Sequence, residues 1–281
     1  MLDSIKISHY ILLSLSLLLG CSGLEESERE RIRKMNATGE YIYRNNDEIS
    51  FGIELPKHQP RARYPWEDTY IGNHIKITKE FFRCRGNPQN PAQTKQGNGQ
   101  SLYTFDCGGM QQHSLPLHEG KEYIYPALME ILNYIQEKTQ KKVIITCGHR
   151  CPTHNTYADS SSPNRTSKHM IGAEVDFYVK GLEWNPDKIL DIIRGYYQEH
   201  PQLKKDSKLT QFHRFEHPTD TATSPWYNKE IFLKIFNKDE GRDLDNDHHF
   251  PYISIQLKWD REKNEPISYS WSNAFNGYLR Y

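Results

Sequence analysis

Hydrophobic residues recur with a helical period in two segments of the chain. In the first, which follows Pro126, apolar side chains stand at positions i, i+3, i+4 and i+7 and share one helix face: Leu128, Ile131, Leu132 and Ile135. The second opens at Asn185-Pro186, a typical helix start, and carries a comparable apolar face: Ile189, Ile192, Ile193, Tyr196 and Tyr197. The sequence therefore predicts two amphipathic helices, each with one buried face.

Strand-like segments surround these helices. The apolar residues at 143–146 and the segment Val175–Val179 predict short buried strands, and residues 252–259 alternate between apolar and polar side chains as a half-buried strand does. A further strand is expected from Ile267 to Trp271, whereas the apolar run at 230–236 predicts a core helix. Helices and strands are mixed without an internal repeat, which predicts an α+β fold.

The amino terminus carries the pattern of an export signal. Residues 10–20 form one apolar run, which is shorter than the roughly 20 residues of a membrane-spanning helix but is typical of a signal peptide. The sequence that ends at Cys21 (LLGC) resembles the bacterial lipobox, whose cysteine is lipidated and becomes the first residue of the mature chain. A lipid on Cys21 would anchor the protein in the cell envelope or periplasm, and Ser22 favours the outer membrane over the inner one. The alternative is a buried N-terminal helix.

Composition divides the rest of the chain. After a signal peptide of residues 1–20, residues 21–45 are charged and lack an apolar face, so we interpret them as a tether. Residues 46–120 are rich in turn-forming residues, notably at 86–100, and predict an irregular N-terminal extension. Residues 121–281 contain the periodic segments and predict the folded domain.

The charge balance bears on the partners of the protein. Its 36 basic and 36 acidic residues cancel, which gives no reason to expect nucleic acid as a partner. The membrane is expected as a partner only through the lipid on Cys21, and a monomer is the expected oligomeric state.

Four cysteines remain besides the lipidated one: Cys84, Cys107, Cys147 and Cys151. An even number in an exported protein indicates two disulfide bonds, and the sequence alone permits three pairings. Of these we expect Cys84–Cys107 and Cys147–Cys151. A zinc site on these cysteines is the alternative, and the absence of a CxxC pair disfavours it.

The segment SKHMIGAEVD at 167–176 contains a candidate metal site. His169 and Asp176 can converge if the chain turns at Gly172 before it enters the following strand. An imidazole nitrogen and a carboxylate oxygen are normal zinc ligands. This spacing alone is weak evidence, since a histidine with hydrogen-bond partners beside a strand would have the same pattern.

Taken together with ITCGHRCPTHN at 145–155, this segment resembles the zinc D-alanyl-D-alanine carboxypeptidase family. The family pattern is a strand, SGxRxxxxN, a loop and SxHxxGxAxD, and seven residues match it here: Gly148, Arg150, Asn155, Ser167, His169, Gly172 and Asp176. The family groups D,D-dipeptidases, D,D-carboxypeptidases and phage endolysins. The resemblance implies a hedgehog/D-Ala-D-Ala peptidase-like fold, with a small antiparallel sheet and flanking helices.

The resemblance also implies roles for individual residues. His169 and Asp176 would bind Zn²⁺, and Arg150 would contact the oxyanion or a substrate carboxylate, unless it forms a structural ion pair. Ser167 would hydrogen-bond the terminal carboxylate of the substrate, unless it only caps the turn.

The chain departs from the family pattern at two places. Ala173 stands one position before the family's alanine, and Glu174 follows it. Many members carry a third zinc ligand in a late strand that reads FVHVD, and in YISIQ at 252–256 that position is Ser254. Taken alone, Ser254 would indicate that the metal site has been lost.

Residues just upstream of Ser254 offer a replacement for the missing histidine. Asp245 and His248 have the acid-x-x-His spacing of other branches of the family. We therefore expect His248 as the third zinc ligand and Asp245 as the general base. His249 is the alternative ligand, and the remaining possibility is that these histidines are surface residues of a polar loop.

The resemblance leads to two main functional hypotheses. The first is a zinc carboxypeptidase or endopeptidase that cleaves peptidoglycan stem peptides. The second is a catalytically inactive lipoprotein on the same fold that binds peptidoglycan. A third, a structural envelope lipoprotein, would use residues 46–120 to bind a partner.

Overall fold

The computed structural model of the protein describes the following residues: 30–31, 69–97, 100–159 and 166–281. The predicted signal peptide, the lipidation site Cys21 and nearly all of the predicted tether lie outside them. Among the described residues, no helix is long and apolar enough to cross a membrane.

The chain divides into two units, Met1–Arg61 and Ala62–Tyr281. In the second unit, the described α-helices are α1 (Pro126–Thr139), α2 (Pro152–Ala158), α3 (Pro186–Glu199), α4 (Ser207–Thr210) and α5 (Trp271–Asn276). Short 3-10 helices cover Lys79–Phe82, Gly109–Gln111, Lys168–Ile171 and Leu203–Lys205.

Six strands of this unit form one sheet, in the order β7-β8-β12-β11-β10-β9. Its members are β7 (Val143–Cys147), β8 (Glu174–Val179), β9 (His213–Arg214), β10 (Trp226–Tyr227), β11 (Ile231–Phe236) and β12 (Tyr252–Leu257). Every neighbouring pair in it is antiparallel.

The remaining described strands form two-stranded antiparallel sheets. Their members are β1 (Tyr70–Ile71) with β2 (His74–Ile75), β3 (Gln93–Gly97) with β4 (Gln100–Thr104), β5 (Leu117–His118) with β6 (Lys121–Glu122), and β13 (Trp259–Asp260) with β14 (Glu265–Pro266). The mixed helix-and-strand architecture agrees with the α+β prediction.

The two faces of the six-stranded sheet differ in polarity, because successive strand residues point to opposite sides. On the central strands β8 and β12, one face is apolar and buried in the core: Val175, Phe177, Ile253 and Ile255. The opposite face is polar and lines a cleft: Glu174, Asp176, Ser254 and Gln256. The sheet thus forms the floor of the candidate site.

Helices α1 and α3 cover the apolar face, as the helical periodicity predicts. The predicted apolar stripe of α1 is fully buried, and each such side chain contributes about 1.5–3 kcal/mol of hydrophobic stabilisation. Pro126 occupies the first turn of α1, and Gln140 ends the helix in the left-handed conformation. Helices α1 and α3 contact each other through the edge-to-face rings of Tyr134 and Tyr196, 5.3 Å apart.

Two predictions about secondary structure are wrong. The run at 230–236 forms strand β11 instead of a helix, because Ile231, Leu233 and Ile235 alternate into the core while β11 pairs along its length with β12. The predicted strand at residues 267–271 is absent from the described structure. At its end Ser270 caps helix α5, where its hydroxyl accepts a hydrogen bond from the backbone N–H of Asn273.

The predicted extension is part of the folded unit where the structure describes it. Ile77, Phe82 and Leu115 lie in the same core cluster as the helices and the sheet. The Asn133 side chain, on helix α1, hydrogen-bonds both backbone groups of Ile77 at 2.8 Å. The compact unit therefore begins well before the predicted boundary at residue 121.

Strand β7 lies at one edge of the six-stranded sheet, and side chains bond two backbone groups on its outer side. The backbone N–H of Val143 donates to Oε1 of Gln136 at 3.2 Å. The carbonyl oxygen of Ile145 accepts from the guanidinium of Arg85.

Candidate metal centre and active site

His169 and Asp176 come together on the polar face of the sheet. Ser167 caps the 3-10 turn Lys168–Ile171, and Gly172 ends it with a φ of 72°, a conformation that favours glycine. The chain then enters β8, so that Nε2 of His169 lies 3.4 Å from Oδ2 of Asp176. The turn expected at Gly172 thus brings the two predicted ligands into contact.

The orientation of the His169 ring is fixed from its other nitrogen. Nδ1 lies 2.7 Å from the carbonyl oxygen of Gly148, so its N–H donates there and Nε2 faces the carboxylates. Metal-binding histidines typically have such a partner on the second ring nitrogen. Although burial alone would lower the pKa of His169, the carboxylates of Glu174 and Asp176 raise it to about 9. The negative charge of these two carboxylates favours a proton or a metal cation at Nε2 of His169.

Glu174 is the second carboxylate at this position. Its Oε1 lies 3.7 Å from Nε2 of His169 and accepts hydrogen bonds from Ser254 and Gln256 on strand β12. Ser254 pairs directly with Asp176 across the two strands. The Glu174 carboxylate therefore lies against the hydroxyl of the residue that stands in the family's histidine position.

Cys147 lies on the other side of the imidazole. Its Sγ is 3.4 Å from Nδ1 of His169. Cys147, His169 and Asp176 each offer a ligand atom within 4.8 Å of the other two, and all three are buried. The potential metal ligands around His169 therefore include an imidazole, a carboxylate and a thiol group, and side chains of all three kinds bind zinc in proteins.

A loop at residues 243–246 closes this site. The Asn246 side-chain amide donates to Oδ2 of Asp176 at 3.1 Å and to Oδ1 of Asp243 at 3.0 Å. Oδ1 of Asp243 also accepts the backbone N–H groups of Asp245 and Asn246, which fixes the loop in a turn. Burial raises the pKa of the Asp243 carboxyl, against the opposing effect of the Arg150 charge.

Arg150 forms two buried ion pairs with this loop. Its Nη2 lies 2.6 Å from Oδ2 of Asp243, and its Nε lies 2.8 Å from Oδ2 of Asp245. Arg150 also lines the cleft beside His169. Two N–H groups of the guanidinium are thus used within the protein. Arg150 therefore forms the structural ion pair that was the alternative to substrate contact in the sequence analysis.

Asp245 is not placed as a general base beside His169. Its Oδ2 accepts from Arg150, and its Oδ1 lies 3.1 Å from Nε2 of His154. Although burial alone would raise the pKa of Asp245, the hydrogen bond from His154 and the charge of Arg150 hold it well below the ordinary value. Asp243, two positions earlier, is the loop carboxylate that lines the cleft.

His248 does not join the candidate ligands either. Its ring stacks on Phe250 with centroids 4.1 Å apart and meets Tyr178 edge-on at 5.5 Å. Its Nδ1 shares a hydrogen bond of 2.9 Å with the carbonyl oxygen of Phe250. The alternative, His249, is exposed, and neither histidine belongs to a metal-compatible group among the described residues. Aromatic packing, which the acid-x-x-His spacing does not reveal, explains why His248 does not lie beside the predicted ligands His169 and Asp176.

The expected disulfide bonds are absent from the structure, in which Cys84, Cys107, Cys147 and Cys151 are free. Cys147 belongs to the His169 site, whereas Cys151 belongs to a separate buried group with Cys84 and Cys107. The alternation of β7 and the turn after it point these two sulfurs to different places, so the predicted Cys147–Cys151 pair does not form.

A cleft of about 500 Å³ lies over these residues. Ser167, His169 and Asp176 line it together with Arg150 and Asp243. The Ser167 hydroxyl accepts a hydrogen bond from the backbone N–H of His169 at 3.3 Å and faces the same cleft. Four of the seven matched motif residues, Arg150, Ser167, His169 and Asp176, therefore share a concave surface whose volume is in the range of ligand-binding clefts.

Sequence reasoning missed the contributions of Glu174, Asp243 and Asn246. A signal for Glu174 was available: the chain departs from the family pattern at Glu174 and at Ser254, and the two side chains touch across β8 and β12. No comparable signal marked Asp243 or Asn246, whose roles depend on the long-range docking of their loop.

Comparison with known proteins adds one match. A family model described as Peptidase M15 matches residues 104–211. The matched segment includes Arg150, His169 and Asp176 and ends before the 243–246 loop and strand β12. No curated protein and no solved structure matches the chain significantly.

Proposed function

We propose that this protein is a zinc-dependent peptidase of peptidoglycan stem peptides, because residues 104–211 match the model of Peptidase M15, the zinc peptidase family that includes D-Ala-D-Ala carboxypeptidases. The observation that carries the proposal is the His169 imidazole, held by Gly148 with Nε2 turned toward two carboxylates on the floor of a cleft. The protein would act in the cell envelope, anchored by a lipid on Cys21.

His169 and Asp176 are the proposed zinc ligands, with Glu174 as the third ligand and Cys147, which offers a ligand atom within 4.8 Å of both, as the alternative third ligand. For tetrahedral zinc with ligand bonds of about 2.0–2.2 Å, neighbouring N and O ligand atoms stand about 3.3–3.5 Å apart. The 3.4 Å and 3.7 Å from Nε2 of His169 to Asp176 and Glu174 are close to this spacing. The otherwise unpartnered Oδ1 of Asp176 also fits a metal ligand. Glu174 would thereby compensate for the serine at position 254.

The chemistry divides between the ion and the protein. Zinc at this site supplies a Lewis acid for the peptide carbonyl and for the attacking water. Gly148 holds the His169 ring, and Asn246 holds the Asp176 carboxylate, so the ligands are oriented before substrate enters. The buried sheet and the 243–246 loop exclude bulk water from one side of the cleft.

We assign the proton-accepting role to Asp243 in place of Asp245. Asp243 lines the cleft, and its raised pKa makes it the better proton acceptor. Asp243 and Asp245 both pair with Arg150, but only Asp243 of the two lines the cleft. Asp245 would position Arg150, which in turn orients Asp243, and Ser167 would bind the substrate's terminal carboxylate.

Digestion of purified muropeptides, read by mass spectrometry, tests the proposal. The zinc-loaded full chain should shorten the stem peptides or cut their cross-links, and the fragment masses identify the bond. His169→Ala should abolish cleavage and the bound zinc, while His213→Ala, a change at an exposed residue outside this cleft, should preserve both. Unchanged muropeptides with zinc-loaded, folded wild type would contradict the proposal.

Matched carboxylate variants test the individual assignments. Asp243→Asn should reduce kcat by about 100-fold or more with zinc retained, whereas Asp245→Asn should cost less. Glu174→Gln should weaken zinc binding by more than Cys147→Ser does. A larger zinc loss in Cys147→Ser would instead identify the thiol as the third ligand.

A second candidate function is the binding of peptidoglycan without hydrolysis. Ser254 in place of the family histidine, together with the ion pairs that occupy Arg150, favours it. In that case wild type should sediment with purified peptidoglycan sacculi and leave the muropeptides intact. Zinc-dependent release of peptide fragments would contradict this second function and support the peptidase proposal.

A further inference from the structure

Three cysteines and a histidine converge in a second buried group, which is separate from the potential metal ligands around His169. Its members are Cys84, Cys107, His113 and Cys151. Each offers a ligand atom within 4.8 Å of the others, and all four residues are buried. We propose that these four side chains form a structural zinc site, which goes beyond the proposed peptidase function.

The distances in the group match tetrahedral coordination better than a disulfide. With Zn–S bonds of about 2.3 Å and a Zn–N bond of about 2.0–2.1 Å, two sulfurs stand roughly 3.8 Å apart and a sulfur and a nitrogen roughly 3.6 Å apart. Sγ of Cys84 and Sγ of Cys107 are 3.7 Å apart, and Sγ of Cys107 lies 3.6 Å from Nε2 of His113. A disulfide would require about 2.05 Å and would engage only two of the four groups.

The surroundings of the four side chains suit metal ligands. Nδ1 of His113 lies 3.0 Å from the carbonyl oxygen of Ser114, so its N–H donates there and leaves Nε2 free to coordinate. The backbone N–H of Gly109 donates to Sγ of Cys107, and that of His154 donates to Sγ of Cys151, both at 3.3 Å. Such donors stabilise negative charge on the sulfurs.

The site would join parts of the chain that are far apart in sequence. Cys84 follows the 3-10 helix Lys79–Phe82, Cys107 follows strand β4, and Cys151 caps helix α2. Tyr278, near the end of the chain, packs edge-on against His113 with ring centroids 5.5 Å apart. A Cβ on Gly86 would lie 2.0 Å from Sγ of Cys107, so glycine is needed for the close approach of this loop.

The proposed site also supports the candidate active site. Cys147 lies at the His169 site and Cys151 at the four-ligand site, and the turn between them carries Gly148 and Arg150. Gly148 holds the His169 ring, and Arg150 holds the 243–246 loop. Zinc on Cys151 would therefore fix one end of the turn that organises the other site.

Metal analysis of the purified full chain tests the proposal. If both sites fill, wild type holds about two zinc ions per chain, His169→Ala keeps the ion of the four-ligand site, and Cys84→Ser or Cys151→Ser loses it. In the His169→Ala background, Cys147→Ser is the matched control, because it removes a buried cysteine outside the group and the ion of the four-ligand site should remain. Zinc content that is unchanged in both Cys84→Ser and Cys151→Ser would overturn the proposal.

A second measurement does not depend on the folding of the cysteine variants. X-ray absorption at the zinc edge of His169→Ala should show a shell dominated by sulfur at about 2.3 Å. A shell of only nitrogen and oxygen, or a Cys84–Cys107 disulfide in peptides from the non-reduced protein, would refute the site. Sulfur-bound zinc in a protein that leaves muropeptides intact would refute the peptidase proposal alone.

Discussion

Replacing Arg150 by Met removes the cation that two buried carboxylates share. Nη2 of Arg150 contacts Asp243 at 2.6 Å and Nε contacts Asp245 at 2.8 Å, and the three side chains are only 3%, 11% and 7% exposed. The methionine fills much of the same volume, so the main loss is electrostatic. The variant therefore isolates the cost of leaving negative charge buried without a partner.

The expected cost is about 3–5 kcal/mol in the free energy of unfolding, the range for removal of one partner from a buried ion pair. With a urea m-value of about 3 kcal/mol/M, this lowers the unfolding midpoint by roughly 1–2 M. The Arg150 charge helps to hold the pKa of Asp245 low, so the ion pair stabilises the protein above the ordinary aspartate pKa of about 3.9. The difference between wild type and variant should shrink as the pH falls below that value.

Urea unfolding at neutral and acidic pH, followed by circular dichroism, measures both effects. Arg194→Met is the matched control, because Arg194 pairs with Asp191 at 3.7 Å on the surface, where 38% and 73% of the two side chains are exposed. Its expected cost is at most about 1 kcal/mol. If Arg150→Met costs no more than this control, the buried network is not the stabilising feature described here.

Three further substitutions test the fold. Gly148→Ala should destabilise the protein by about 1–3 kcal/mol, because the new Cβ would lie 2.6 Å from the backbone Cα of Phe82; urea unfolding measures the loss. Ile131→Ala should cost about 2–5 kcal/mol in the same assay, since Ile131 is fully buried. The hydrogen bonds from Arg83 lower the pKa of Glu122, so its ion pair stabilises the protein above the ordinary glutamate pKa of about 4.3 and is lost at lower pH. Glu122→Gln should thus lose stability at pH 7 and match wild type more closely near pH 3; equal differences at both pH values would contradict this.

Local sequence patterns predict the elements whose determinants lie close together in the chain. The prediction of an apolar stripe on α1 is confirmed, because the buried residues of this helix repeat with the helical period. The contact of His169 with Asp176 is likewise local, since the turn at Gly172 lies between them. For the run at 230–236, period alone did not distinguish a short buried strand from a helix. Its pairing with β12 settles the outcome.

The rest of the candidate site depends on contacts between distant residues. Glu174 and Ser254 face each other only because β8 and β12 pair in one particular register. Cys84, Cys107 and Cys151 meet although no short motif links them. The even number of cysteines and the absence of a CxxC pair therefore predict disulfide bonds in place of this group. The place of His248 depends on its packing with Tyr178 and Phe250, which the spacing of Asp245 and His248 does not encode.

The outer border of strand β7 has a consequence for self-association. An exposed strand border can template the addition of a strand from another molecule, the first step toward fibrillar aggregates. Here the amide of Gln136 and the guanidinium of Arg85 already bond with Val143 and Ile145. An incoming polypeptide would have to displace both side chains before it could pair, so this side of the sheet resists intermolecular β-pairing.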